Sequence, residues 1–373
     1  MRILRVAQKT YPDVKGGAPY HVHAMSRDQA AMGHDVTVVT VRQDPDLPHH
    51  EERDGYTVVR YDPTHSVIGN DLSAGVAEYL RHADQFDVVH AHSHLYFSTN
   101  LAALKRRLGD VPLAITNHGL YSQTAPEWVF RAYLKTVGRW TFDQADVVFC
   151  YTDVDRQRLR EFGVTSRIRV VPNGIDTERF APDGPESDLV DADGPVLLFV
   201  GRLVDGKRPH DAVEAALTVR DDHPDATLYV CGDGPLREEL ERRAGEELGD
   251  GIVFLGHLPY DEMPMVYRSA DVLVLPSRAE GVPRTVLEAR ASGTTVVASD
   301  LEHIRAIVDG CGQTVPVGDV SGFAGAISRA LASRTDGTRN RLDERYDWDQ
   351  TVRKTTRGLD VPATEHATNP TKP

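Results

Sequence analysis

The chain is poor in cysteine, with only Cys150, Cys231 and Cys311 among 373 residues, no CxxC pair and no even count. That argues against a disulfide framework or a cysteine zinc cage and fits a reducing compartment. No apolar run approaches the ~20 residues that a bilayer span needs. The opening MRILRVAQKTYPDV places charge inside a short apolar run without a small-residue cleavage site, unlike a signal peptide. A cytoplasmic protein is expected. Lysine is also scarce, at 7 against 35 Arg, and the 19 Glu are outnumbered by 37 Asp. With a net charge of -14 there is no basic excess, which disfavours nucleic acid as a partner. An Asp-rich surface stays hydrated at high salt, so a halophilic source is expected; a GC-rich genome would give the same bias. Missing too is a GxGxxG turn after the first strand, where QKTYPDVKGG stands instead, and this disfavours an NAD dehydrogenase.

What is present is the balance of a soluble protein with sizeable cores, 40% hydrophobic and 26% charged, in a length suited to two domains. Short apolar strands are expected at 3–7, 35–40, 56–61, 87–91, 112–116, 146–150 and 167–171, with helices at about 18–32, 72–84, 97–108, 127–143 and 152–162. Several of these strands lack alternation, as parallel strands buried on both faces do. PDGPESDLVDADGP (182–195) has no periodicity and reads as a linker. Strands then resume at 196–200, 227–231, 252–256, 271–276, 295–299 and 313–317, with helices near 208–221, 235–248, 260–269, 284–292 and 320–333. The expected organisation is an α/β pair of doubly wound, Rossmann-like domains: 1–175, a linker 176–195, 196–335, C-terminal helices in 336–360 packing back on the first domain, and a disordered tail 361–373. Residues 1–175 carry 20 basic and 20 acidic residues, whereas 176–373 carry 22 and 36, so the whole net charge sits in the second half.

AEGVPRTVLEARASGTTVVAS (279–299) places Glu280 on a loop after a strand and Glu288 on the next helix. With so many carboxylates the spacing alone has a high chance rate. The context adds weight, because free N–H groups at that helix start can receive an anion.

Here the sequence resembles the GT-B glycosyltransferases of group 1, or GT4, over nearly its whole length. The segment is similar to that family's E-x7-E motif, which implies Glu280 on the donor sugar and Glu288 on the nucleotide ribose. FVGRLVDGKRP (199–209) resembles the family's phosphate loop, putting Arg202 and Lys207 on the diphosphate, and YPDVKGGAPYHV (11–22) its glycine loop, with Gly16 and Gly17 near the phosphates. GHDVTVVT, AITNHGL and VVPNGIDTERF are further landmarks, and the second implies His118 against the donor sugar. The resemblance puts Gly281, Val282, Pro283 and Arg284 in the loop whose amides face the donor. The family usually has an aliphatic residue where Arg284 stands, and SDLEHIRAIV (299–308) lacks the usual glycines and Pro-Glu. Arg284 is read either as a contact to a charged donor group or as solvent-facing.

The resemblance implies a retaining glycosyltransferase moving a sugar from a nucleotide-diphosphate donor to a hydroxyl of a glycan or lipid-linked acceptor. Physics supports the roles of Arg202 and Lys207, since fixed cations stabilise the growing diphosphate charge without a metal. No cofactor and no essential metal are expected. The four Asp-x-Asp pairs at 44/46, 153/155, 191/193 and 347/349 match the number that chance gives and read as surface acid. His90, His92 and His94 lack a fourth zinc ligand and read as packed or cleft-lining residues. Tyr20, Tyr121 and Trp128 are candidate acceptor contacts. Arg131, Lys135 and Arg139 share a helical stripe with Trp128 and Trp140 in 128–142, which suits either peripheral contact with an anionic membrane or an ordinary helix packed on its sheet. A nucleotide-sugar epimerase of the same fold and a non-catalytic nucleotide-sugar binder are the competing readings.

Overall fold

Runs such as VLLFV and VLVL are apolar without alternation and need cover on both faces of a sheet. The computed structural model describes residues 1–67, 70–121, 127–247, 249–333 and 342–360. Of the described residues, unit 1 comprises Met1–Leu120, Glu127–Pro172 and those from Thr351 on; unit 2 comprises those within Asn173–Gln350, together with Tyr121.

Unit 1 contains the strands β1 (Arg2–Val6), β2 (Asp35–Val41), β3 (His50–Arg53), β4 (Tyr56–Tyr61), β5 (His65–Val67), β6 (Asn70–Leu72), β7 (Val88–His92), β8 (Leu113–Thr116), β9 (Val147–Cys150) and β10 (Arg167–Val170). Its helices are α1 (Gly17–Ala31), α2 (Ala74–Tyr79), α3 (Phe97–Leu108), α4 (Glu127–Tyr133), α5 (Arg139–Asp143) and α6 (Asp153–Glu161). The main sheet runs β10-β9-β8-β7-β1-β2-β4-β3, parallel except for β3 on β4, and β5 and β6 pair separately. Leu4, Val6, Val39, Ala91 and Ile115 pack on one face with Ala102 of α3 and Phe142 of α5. Ile3, Val36, Val58 and Ala114 pack on the other with Val22 of α1. β1 lies between β2 and β7, and the strand order reverses there, which makes the carboxyl ends of β1 and β7 a switch point.

Unit 2 contains β11 (Val196–Val200), β12 (Thr227–Cys231), β13 (Ile252–Gly256), β14 (Val272–Leu275), β15 (Thr295–Ser299) and β16 (Gly312–Val315), with α7 (Pro209–Arg220), α8 (Arg237–Glu247), α9 (Met263–Arg268), α10 (Arg284–Ala291), α11 (Glu302–Val308) and α12 (Val320–Ala332). The sheet is β13-β12-β11-β14-β15-β16 and wholly parallel, reversing between β11 and β14. Phe199, Val213, Ala216, Phe323 and Ile327 are among its core residues. The last helix, α13 (Trp348–Leu359), begins in unit 2 and continues in unit 1, where Leu359 joins the core.

The expected strands are all present, and both sheets are doubly wound. β3 and the β5–β6 pair were not expected, nor was α11. The expected helix at 72–84 is α2 followed by a 3-10 turn, Leu80–Gln85. The one at 127–143 is α4 and α5 joined by a π-turn, Leu134–Gly138. The segment expected as a linker is bonded into unit 2: Ser187 N donates to Ser269 Oγ at 2.8 Å, and Tyr229 donates to the Asp191 carbonyl at 3.0 Å. The expected tail at 361–373 and residues 336–341 of the expected C-terminal helices lie outside the described residues.

Candidate functional site

In unit 2 the site is built from the loops leaving β11 and β14, the two strands that flank the reversal. After Val200 the chain passes through Gly201, Arg202 and Leu203 into a 3-10 turn, Asp205–Lys207. Three backbone bonds pin this loop to the one after β12: Gly201 N to Cys231 O at 3.0 Å, Leu203 N to Asp233 O at 2.9 Å and Leu236 N to Leu203 O at 3.1 Å. Such close approach needs glycine. Gly232 and Gly234 have φ of 145° and 157°, and a Cβ on either would overlap the carbonyl oxygen of Gly201 or Leu203. Neither was singled out in the sequence, although CGDGPL directly after a buried strand was an available signal.

The loop after β14 is tied to the first, with Arg278 N donating to Gly206 O at 2.9 Å. This brings Lys207 against Glu280. The ammonium donates to Oε1 in a short ion pair, with the two side chains 14% and 5% exposed. Arg202 lies exposed on the same loop as Lys207. Gly281, Val282 and Pro283 are buried and lead into α10, whose N-cap is Pro283 with no side-chain cap. Uncapped N–H groups at such a start suit an anion.

Glu288 is buried on α10, and its carboxylate is held on three sides. Tyr260 donates to Oε1 at 2.8 Å, Tyr267 donates to Oε2 at 3.1 Å, and Arg284 Nε lies 3.4 Å from Oε1. Burial and the neighbouring Glu288 charge push the Tyr267 phenol well above its usual pKa. Arg284 therefore does not face solvent. It is buried, donates to the Gly174 carbonyl at 2.9 Å and to Tyr260 Oη at 2.8 Å, and lies over the Trp348 ring at 5.6 Å.

Unit 1 carries the remaining expected residues apart from Tyr121. Gly16, at φ 140°, is the N-cap of α1, and Gly17 begins the helix. The preceding loop is anchored by Asp13, which accepts from Arg60 Nε at 2.6 Å and Arg53 Nη2 at 3.0 Å, while Arg53 Nη1 reaches the Tyr11 carbonyl at 2.8 Å. Burial alone would raise the Asp13 pKa, but bonding to Arg60 and Arg53 outweighs it and holds the carboxyl below its usual range.

His118 follows β8, with both ring nitrogens engaged: Nδ1 with the Tyr151 hydroxyl at 2.7 Å and Nε2 with His92 Nδ1 at 3.0 Å. The ring of His21, from α1, stands edge-on at 5.2 Å. His118 keeps part of its surface, yet the packing around it pushes its pKa down to about 4. His90 and His92 are fully packed, their ring centroids 4.4 Å apart, and burial beside Arg5 lowers both pKa values well below the usual histidine range. His94 packs 4.8 Å from the Phe142 ring and is pushed by burial to about 3. Among the described residues no group of three or more His, Cys, Asp or Glu is arranged to hold a metal ion.

Along 128–142, Phe130, Leu134 and Phe142 face the core, whereas Arg131, Lys135 and Arg139 are exposed. Trp128 and Trp140 share that exposure at 75% and 39%. Tyr20 packs edge-on against Tyr11 at 5.4 Å, and Tyr121 is half-buried.

Known proteins give independent comparisons. Residues 15–179 match the family model described as Glycosyltransferase Family 4, and residues 194–333 match Glycosyl transferases group 1. A glycogen synthase of Mycobacterium tuberculosis is 32% identical over 94% of this chain and 92% of its own length. A D-inositol 3-phosphate glycosyltransferase of Acidothermus cellulolyticus is also 32% identical, over 90% and 84%. Among solved structures, sucrose-phosphate synthase from Thermosynechococcus elongatus aligns with TM-score 0.79 at 22% identity, covering 96% of this chain and 98% of that one. Anabaena HepE, solved with UDP-glucose, aligns with TM-score 0.78 at 16% identity, covering 96% and 99%. These two structures share the fold.

Proposed function

Because the chain belongs to the group 1 glycosyltransferases, with a family 4 N-terminal region and the GT-B fold class, we propose that it transfers a sugar, with retention, from a nucleotide-diphosphate donor to a hydroxyl of a glycan or lipid-linked acceptor. The observation that carries this reading is the convergence of Lys207 and Glu280 from the two loops beside the strand reversal. A ligand crevice belongs at that point of a doubly wound sheet.

Breaking the sugar–phosphate bond moves negative charge onto the departing diphosphate. Lys207 and Arg202 stabilise that charge, and the uncapped start of α10 adds backbone donors. No metal is needed for that neutralisation. Glu280 meets the sugar as it gains positive character, Glu288 holds the ribose, and His118 binds a sugar hydroxyl. Gly16 and Gly17 let the backbone approach the phosphates. The names of the relatives favour transfer over epimerisation or mere binding.

Among the described residues no helix is long and apolar enough to cross a membrane. The exposed Trp128, Trp140, Arg131, Lys135 and Arg139 suit peripheral contact with an anionic membrane, on its cytoplasmic face. Co-sedimentation with anionic vesicles should fall in an Arg131/Lys135/Arg139→Ser triple variant; equal binding would remove the stripe from the account.

The direct test is a panel of nucleotide sugars screened by thermal shift at low and high salt. The donor found is then assayed with glycan and lipid-linked acceptors, and the anomer of the product is read by proton NMR. Acceptor-dependent transfer with retention is expected. Conversion of the donor without an acceptor would favour the epimerase instead.

A further inference from the structure

Arg284 is a buried cation on α10, and its contacts explain what it does there. A guanidinium has only donors. Tyr260 Oη must therefore accept from Arg284 Nη2, at 2.8 Å, and its single proton is left for Glu288 Oε1, also at 2.8 Å. The second carboxylate oxygen receives the Tyr267 proton at 3.1 Å. A carboxylate offers about four lone-pair positions; the two phenols take one on each oxygen, Arg284 Nε stands 3.4 Å from Oε1, and the acceptor capacity that remains lies chiefly on Oε2. That capacity suits the hydroxyls of a vicinal diol.

The other end of the guanidinium is fixed as well. Nη1 donates to the Gly174 carbonyl at 2.9 Å, and the Trp348 ring lies 5.6 Å away. Gly174 is next to Asn173, where the chain enters unit 2, and Trp348 lies close to Gln350, where it leaves. Those two segments are joined to each other: Ile175 N donates to Tyr346 O at 2.8 Å, and Trp348 N to Ile175 O at 2.9 Å. Arg284 is thus held from the paired entry and exit segments of unit 2 and passes that fixation to Glu288 directly and through Tyr260.

We propose that Arg284 is a positioning residue for the nucleotide ribose: it aims the free lone pairs of Glu288 at the ribose diol through the Tyr260 hydroxyl. The proposal rests on the donor-binding reading above and adds a residue to it. Its signature is discrimination between ribose and 2′-deoxyribose, which a purely structural role would not change.

UDP, GDP and ADP, each paired with its 2′-deoxy counterpart, are titrated by calorimetry into the full chain. The wild type should prefer one ribonucleotide over its deoxy form by roughly 10-fold, the scale of a hydrogen bond to a charged acceptor. In Arg284→Leu the preference should shrink to within about 3-fold, chiefly through weaker ribonucleotide binding. Tyr260→Phe should shrink it likewise, and it serves as the test if Arg284→Leu fails to fold. A folded Arg284→Leu or Tyr260→Phe that weakens both nucleotides equally and keeps the wild-type preference overturns the assignment. Wild-type protein that binds none of the three diphosphates overturns the donor reading itself, and the inference with it.

Discussion

Lys207 and Glu280, 73 residues apart in sequence, form a largely buried ion pair at the point where the strand order of the second sheet reverses. Each neutralises the other. A diphosphate must then compete with Glu280 for the ammonium. We expect Glu280→Gln to bind the bare nucleoside diphosphate at least as tightly as the wild type, because the ammonium is released. Its kcat should still fall by roughly 10²-fold, the scale of removing one preorganised electrostatic group. Glu288→Gln should instead raise the donor KM with little change in kcat, since a ribose contact serves ground and transition states alike. Unfolding midpoints of both variants must first match the wild type. A near-normal kcat in Glu280→Gln would return that residue to a merely structural role.

The same geometry makes a prediction about metals. On the proposed reading, Lys207, Arg202 and the uncapped start of α10 together supply positive potential for a leaving diphosphate. Turnover should persist in excess chelator, while Lys207→Ala should lose roughly 10²- to 10³-fold in kcat. Activity abolished by chelator and restored only by magnesium or manganese would require another source of leaving-group stabilisation.

Gly232 is where the loop after β11 depends on close backbone approach alone. Gly232→Ala should shift the denaturation midpoint by an amount equivalent to roughly 1–3 kcal/mol for overpacking, plus roughly 1–2 kcal/mol for the positive φ. Gly33→Ala is the control: φ there is 88°, but a Cβ meets nothing within 4 Å, so only the conformational cost applies. If the two variants lose equal stability, the close approach to Gly201 is not what fixes glycine at 232.

The strands were legible because parallel strands buried on both faces leave uninterrupted apolar runs, as in VLLFV and VLVL. β3 was not, because its sequence, HEER, has no apolar residue and it survives as an antiparallel edge on β4. α11 is only EHIRAIV, seven residues behind a Leu301 N-cap that gives no capping signal. Lys207, Glu280 and Glu288 could be singled out from motif resemblance, and the structure brings Lys207 and Glu280 together. The orientation of Arg284 was not legible, because it is set by Gly174, 110 residues away, and Tyr260, 24 residues away, and no local pattern reports such partners. Gly232 and Gly234 gave a signal, a Gly-x-Gly after a strand, whose meaning appears only when Gly201 is seen beside it.

Unit 1 should lose stability on mild acidification, well before its carboxylates titrate. His90, His92 and His94 are packed inside it, and burial has driven their pKa values down, to about 3 for His94. Arg5, buried beneath His90 with its guanidinium 3.3 Å from Nδ1, adds repulsion against a charged ring. In the unfolded chain these histidines protonate near 6.5. A group with a depressed folded pKa stabilises fully above its unfolded value and loses that contribution as pH falls towards the folded one. Stability should therefore decline below about pH 6.5, each buried histidine adding up to ~1.4 kcal/mol per pH unit to the slope. Asp13 and Glu51, held below their usual range by Arg60 and Arg53, extend the loss into the carboxylate range. Hydrogen exchange followed from pH 7.5 to 5, after correction for the intrinsic pH dependence, reads this locally: protection in β7 and β8 should fall. His90→Asn should flatten the fall if it keeps the Arg5 and Thr116 contacts. Protection of β7 and β8 that is the same at pH 7.5 and pH 5 would show that the histidine cluster carries no such linkage.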